Sequence, residues 1–261
     1  MKIKACIMSI AHPQRLKWLH ETIKFMDQQD FPFHKKVVII DQFNGNTVPE
    51  FLVKKLENWG WEVKLVSMKS RIKATDLFFE DDGTDIIFYN EEDVKATLPN
   101  YNKLKEAFNT EYDNRKCGII SMTLGGTQYD APSGNIGDLE LIENNIILRD
   151  KERKAIFVQR LEKFQSKWFF EFPGLFIREN IFRKCHEEAK RTKRNLQIEM
   201  GLTEAYFNLH IDHEYYKASY CKEDTYSILK EHPERVNSHC RFLYNLDPNQ
   251  GNSPFGGHHS Y

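Results

Sequence analysis

Two short apolar runs constrain the fold of this chain most: Lys-Val-Val-Ile-Ile-Asp at residues 36–41 and Asp-Ile-Ile-Phe-Tyr at residues 85–89. A strand with one wet face alternates polar and apolar residues. A strand covered on both faces does not, and that second pattern belongs to parallel sheets. Around these runs the first hundred residues alternate between two periods. They predict a strand over 2–10, a helix over 14–28 with Leu16, Leu19, Ile23 and Met26 at helical spacing, and a strand over 36–41. A turn at Asn44-Gly45-Asn46 follows, then a helix from Pro49 to Trp59 ended by Gly60, a strand over 61–68, a short helix over 70–79 and a strand over 85–89. Alternation of this kind implies right-handed crossovers, so the expected fold class is α/β, with a mainly parallel sheet flanked by helices. Ligands of such sheets bind beyond the carboxyl ends of the strands, which directs attention to the loops after Ile10, Ile40 and Tyr89.

The second half is less regular. It predicts a helix over 102–108, a strand over 118–123, a glycine-rich loop over 125–137 and shorter strands over 146–148, 155–158 and 168–172. Helices over 181–191 and 202–209 and a strand over 215–220 complete it, with no internal repeat. The 261 residues, 40% hydrophobic, are enough for one sizeable core, and the chain reads as a single domain with halves 1–100 and 101–245 and an irregular tail at 246–261. No run approaches the ~20 apolar residues of a membrane span. Polar His12, Gln14 and Arg15 close the N-terminal apolar run, which predicts a buried first strand and not a secretion signal. The five cysteines are scattered, with no C-x-x-C pair, and predict a reducing, cytoplasmic setting without a disulfide framework or a zinc site.

The formal net charge of −1 hides a segregation. Residues 149–194 hold fourteen basic and seven acidic residues, a net of +7, so the remainder carries −8. Residues 76–93 hold eight acids and no base. Segregation of this kind separates a cation-binding region from an anion-binding one, or marks solvated helix faces.

The acids culminate in Glu91-Glu92-Asp93, delivered by the apolar strand at 85–89. Three adjacent carboxylates repel one another in a water-poor cleft, and a divalent cation among them lowers that cost. Residues two apart on an extended chain point the same way, so Glu91 and Asp93 are expected to face one site together.

The segment Ile-Ile-Phe-Tyr-Asn-Glu-Glu-Asp-Val at 86–94 resembles the strand and acidic triplet of GT-A glycosyltransferases, family-2-like or related. The resemblance implies a GT-A-like, Rossmann-type sheet with an irregular acceptor-binding C-terminal half, and a manganese or magnesium ion held on the diphosphate of a nucleotide-sugar donor, a UDP-sugar. It implies Asp93 as the first metal ligand, Glu91 as the second, and Glu92 among the donor contacts. It further assigns donor contacts to Ser9, His12 and Arg15 after the first strand, to Asp41 at the end of the second, and to Arg71 and Asp76. Trp168 lies in the aromatic segment 168–176, which resembles the one leading to the acceptor pocket. Glu199, with Glu204 as its alternative, opens a helix where inverting relatives place the general base. His232 is in position to complete the metal site, with His239, His258 and His259 as competitors.

The acceptor implied is a glycan or lipid-linked sugar, or a polyanion such as bacteriophage DNA with hydroxylated bases, which the basic stretch 149–194 suits. A nucleotidyltransferase shares the sheet and the acidic site. It usually opens with a Gly-rich loop after the first strand, and residues 9–15 contain no glycine. A non-catalytic nucleotide- or sugar-binding protein of the same fold is the third reading.

Overall fold

The fold is built outward from Ile3–Ile10, strand β1, every residue of which is buried. A computed structural model of the chain describes residues 1–42, 45–68, 71–112, 114–121, 139–142, 145–149, 155–160, 174–192, 215–220, 226–228 and 240–242. After β1 the described elements are α1 (Pro13–Asp27), β2 (Lys35–Asp41), α2 (Glu50–Asn58), β3 (Glu62–Val66), α3 (Arg71–Thr75) running into a 3₁₀ turn (Asp76–Phe78), β4 (Ile86–Glu91) and β5 (Val94–Ala96). Then come α4 (Tyr101–Asn109), β6 (Glu111–Tyr112), β7 (Arg115–Ser121), β8 (Leu139–Ile142), β9 (Asn145–Arg149), β10 (Ala155–Arg160), β11 (Leu175–Arg178), α5 (Glu179–Thr192), β12 (Tyr215–Tyr220), β13 (Tyr226–Ile228) and β14 (Cys240–Phe242).

The main sheet runs β13-β12-β7-β11-β4-β1-β2-β3, with β6 paired to β7. Strands β3, β2, β1 and β4 are mutually parallel. Strand β11 inserts antiparallel between β4 and β7, and β12 lies parallel to β7. The mainly parallel sheet flanked by helices is therefore the observed architecture. Its chain order reverses at β1, which pairs with β2 on one side and β4 on the other. A reversal of this kind opens a crevice at the carboxyl ends of the two strands flanking it.

Two layers cover the sheet. On one face Ile3, Ala5 and Ile7 of β1 pack with Leu16, Leu19, Ile23 and Met26 of α1 and Leu104 and Phe108 of α4. Leu19 and Ile23 are fully buried, each worth roughly 1.5–3 kcal/mol of transfer free energy. On the other face Tyr89 of β4 meets the rings of Phe78 and Phe182 edge-on. Helix α2 stops where Gly60 adopts φ 78°, the left-handed geometry that Schellman-type ends require.

The expected helix over 70–79 is shorter: α3 ends at Thr75, and the Leu77 and Phe78 carbonyls of the 3₁₀ turn after it accept from Lys64 Nζ and Lys4 Nζ at 3.1 and 3.0 Å. The strand expected over 118–123 starts earlier, at Arg115. The short strands β5, β6, β8, β11, β13 and β14 were not predicted, since two to four residues carry too little periodicity to read. The strand expected over 168–172 and the helix over 202–209 lie outside the described residues.

Candidate functional site

The carboxyl end of β4 does not continue extended. Glu91 closes the strand, the chain turns at Glu92 and Asp93, and Val94 starts β5. Asn90 Nδ2 donates to the Val94 carbonyl at 2.8 Å and ties the turn across its base. The expectation that Glu91 and Asp93 share one face of an extended strand is thereby corrected: a tight turn, not period-2 alternation, gathers the three acids.

All three acids are buried, at 3%, 1% and 1% exposure for Glu91, Glu92 and Asp93. Burial pushes the Asp93 carboxyl well above the usual carboxylate range, and the Glu92 and Glu91 carboxylates push it further, against the opposing pull of Arg15. Three carboxyl groups thus lie near one another in this turn beside Arg15. This is the electrostatic condition that a divalent cation relieves.

Helix α1 acts as a splint along the turn. It begins two residues after β1, with His12 as its N-cap accepting from the Gln14 N–H at 3.3 Å and Pro13 in its first turn. Arg15 Nη1 donates to Glu92 Oε1, and both side chains are buried. Two turns further on, Thr22 Oγ1 donates to the Glu92 carbonyl at 2.7 Å. Beyond the helix, Gln29 donates to the Ala96 carbonyl at 3.0 Å and accepts from the Leu98 N–H at 2.7 Å. Thr22, Gln29 and Asn90 were missed in the sequence. The available signal was a pair of polar residues, Arg15 and Thr22, seven apart beside the apolar stripe of α1.

The remaining predicted residues divide by position. Ser9 is buried near the end of β1, with Oγ 3.4 Å from the Ile10 carbonyl. Asp41 is buried at the end of β2, where Oδ1 accepts from the Met68 N–H at 3.2 Å and its carbonyl accepts from Ala11 N–H at 2.8 Å. It thus ties the carboxyl ends of β1, β2 and β3. Arg71 opens α3. Asp76 Oδ1 lies 2.8 Å from Nε2 of the fully buried His186 and 2.9 Å from Lys190 Nζ, so α5 grips the end of α3. Burial lowers the His186 pKa, opposed by the Asp76 carboxylate. Trp168, Glu199, Glu204, His232, His239, His258 and His259 lie outside the described residues.

A cavity of about 530 Å³ opens between α1 and α2, lined by Pro13, Leu16, Lys17, His20, Leu52 and Lys55 among others. None of the three acids, nor Asp41, lines it. Among the described residues no three His, Cys, Asp or Glu side chains converge in a group able to hold a metal ion. Glu92 is engaged by Arg15. No helix among the described residues is long and apolar enough to cross a membrane.

No protein-family model matches the chain, and no curated protein matches it significantly. Solved structures similar to it include Staphylococcus aureus TarS 1-349, at 14% identity over 87% of this chain with a TM-score of 0.46. The chain spans 59% of the length of that structure. TarS 1-349 in complex with UDP gives 12% identity, 86% and 62% coverage of this chain and that one, and a TM-score of 0.45. A cytidylyltransferase from Leptospira borgpetersenii gives 11% identity, 86% and 79% coverage and a TM-score of 0.46. The mannosyltransferase PcManGT from Pyrobaculum calidifontis, in complex with GDP-Man and Mn2+, gives 13% identity, 46% and 34% coverage and a TM-score of 0.33. Transferases of both kinds stand in this set, and it does not choose between them.

Proposed function

We propose that the chain is a cation-dependent GT-A-type glycosyltransferase that moves a sugar from a nucleotide-sugar donor to a hydroxyl acceptor. The observation that carries this reading is the buried acidic turn at the carboxyl end of β4, beside the point where the strand order reverses about β1. Its three adjacent carboxyl groups, with Asp93 raised by burial and by Glu92 and Glu91, suit a cation bound with an anionic ligand. The N-terminus of α1 begins at the same end of the sheet, and its N–H groups favour a phosphate nearby.

In this reading Asp93 and Glu91 hold Mn2+ or Mg2+, with His232 as the further ligand. The ion supplies charge stabilisation to the departing nucleotide diphosphate. Asp41, Ser9, His12, Arg71 and Asp76 are the donor contacts, and Trp168 is assigned to the acceptor side. In an inverting reaction Glu199, or Glu204 in its place, takes the proton of the acceptor hydroxyl as an ionised carboxylate. The acceptor is a glycan or a polyanion, DNA with hydroxymethylated bases included. Arg15 and Glu92, bonded to each other, stand on the donor side with those contacts. A nucleotidyltransferase is the second reading. The segment after β1, with no glycine and a capped helix start, counts against it.

The test is thermal-shift screening against nucleotide diphosphates and nucleotide sugars, each with and without Mn2+. A ligand that binds only the folded state raises the melting temperature. A Mn2+-dependent rise with one nucleotide diphosphate, lost in Asp93→Ala, supports the reading. Stabilisation by a nucleoside triphosphate alone favours the nucleotidyltransferase, and no stabilisation by any of them removes both.

A further inference from the structure

We propose that the cavity between α1 and α2 is a binding site for a small organic anion with an apolar body, separate from the acidic turn. Its volume of about 530 Å³ is that of a small-molecule pocket. Helical spacing builds its walls. Pro13, Leu16, Lys17 and His20 stand at i, i+3, i+4 and i+7 of α1 and share one face. Arg15 and Thr22, which bond Glu92, stand on another. Phe51, Leu52 and Lys55 supply the wall from α2.

Two features define the occupant. The first is charge. Lys17 and Lys55 line the cavity, and no Asp or Glu does. Among the described residues neither lysine forms a salt bridge. Lys55 Nζ lies 5.3 Å from the centroid of the Trp59 ring, a contact that supplies no counter-charge. Neighbouring acids are engaged elsewhere: Glu50 pairs with Lys54 at 2.6 Å, and Glu21 faces His20 and Lys95. His20 adds no third cation, because burial and then the Lys55 charge lower its pKa and leave the ring neutral at neutral pH.

The second feature is apolar surface. Leu16 and Leu52 are buried, but Phe51 is 73% exposed, and the described residues include one other exposed large apolar side chain, Leu65. The aliphatic stems of the two lysines extend the apolar lining up to their charged ends. An inorganic anion would lose its hydration against such walls without gain. A neutral hydrocarbon would leave the lysines without a counter-charge. An anion with a hydrocarbon body answers both.

The test is calorimetric titration of the full chain with octanoate, which carries head and body, acetate, which carries the head alone, and 1-octanol, which carries the body alone. Octanoate is expected to bind saturably at one site and acetate not at all. Lys17→Gln with Lys55→Gln should weaken octanoate about tenfold and leave 1-octanol unchanged. Thr47→Trp, which places an indole in the exposed lining, should remove octanoate binding. All three substituted side chains are exposed, so the fold does not depend on them. Wild type that does not bind octanoate saturably overturns the proposal, as does binding that ignores the lysine pair or Thr47→Trp. Equal weakening of 1-octanol in the lysine variant overturns the charge recognition. Displacement of octanoate by UDP would place it in the donor site and overturn the proposal too. Sedimentation of the chain with phosphatidylglycerol vesicles, without binding of monomeric octanoate, would make this a membrane-facing surface instead. The glycosyltransferase reading is decided separately, by UDP and Mn2+.

Discussion

Two charged clusters stand at opposite ends of the same parallel strands, and residues 76–93 supply acids to both. At the amino ends, Lys4 of β1, Lys35 of β2 and Lys64 of β3 interleave with Glu62, Glu80 and Asp82. Lys4 reaches Asp82 at 2.5 Å, Lys64 reaches Glu80 at 2.5 Å and Glu62 at 3.2 Å, and Lys35 bonds Glu80 and Glu62. At the carboxyl end, Glu91, Glu92 and Asp93 meet Arg15. The consequences are opposite. Burial raises the Asp82 carboxyl, but the Lys4 and Thr84 bonds outweigh it and hold it far below its usual range. Bonds from Lys35 and Lys64 hold Glu80 low as well. Asp93, buried among like charges, goes up. Carboxylates are thus held ionised where lysines bond them, and are pushed toward the neutral form where burial and like charge outweigh Arg15.

This contrast can be broken at either end. The largest effect is expected from Arg15→Met, which leaves Glu92 buried without its guanidinium. The loss is about 3 kcal/mol, read as a lower urea midpoint at unchanged slope. Lys4→Met comes next, at roughly 2 kcal/mol, since Asp82 is 22% exposed and water compensates part of the loss. The sharpest comparison is of sign. Asp82→Asn should destabilise by about 1 kcal/mol, through the weakened bond to Lys4. Asp93→Asn should stabilise by a similar amount, because it removes a charge the fold disfavours. Paired chemical denaturation curves at neutral pH check both, and equal signs would refute the contrast.

The smallest effect is in the pH profile. Asp82, Glu80 and Glu62 have lowered pKa values in the folded state, so their contribution is complete above the usual carboxylate range. It is lost as pH falls through the lowered values. Asp93 is raised, so its penalty is present at neutral pH and is relieved as pH falls toward its ordinary range. The stability of Asp93→Asn relative to wild type should therefore shrink on acidification from neutrality, while the deficit of Asp82→Asn persists until about pH 4 and then closes. Melting temperatures of the three proteins across that range read both trends.

Local pattern made the first half legible. The apolar runs at 36–41 and 85–89 placed β2 and β4, the stripe from Leu16 to Met26 placed α1, and the acids after Tyr89 marked the candidate site. What pattern did not supply is pairing between distant residues. Arg15 and Glu92 are 77 positions apart, and nothing local to either announces the other. The charge ladder was equally invisible, because Lys4 and Lys35 meet only through the register Lys4↔Lys35, and Lys64, opposite Ile39, joins them through Glu62 and Glu80. The turn at Glu92 and Asp93 was hidden by a run that reads as strand up to its last residue. β11 escaped notice because four residues, Leu175 to Arg178, carry no usable period, although they separate the parallel half from β7.

The central claim is that the surplus of acid at the end of β4 holds a cation for a nucleotide diphosphate. Its most direct test is calorimetric titration of UDP in Mn2+ and in a chelator, with wild type and Asp93→Asn compared. The account predicts UDP binding in Mn2+ that falls by at least about tenfold in the chelator, and equally in Asp93→Asn, a variant that is itself more stable than wild type. UDP binding of the same strength in all conditions and in both proteins would contradict it.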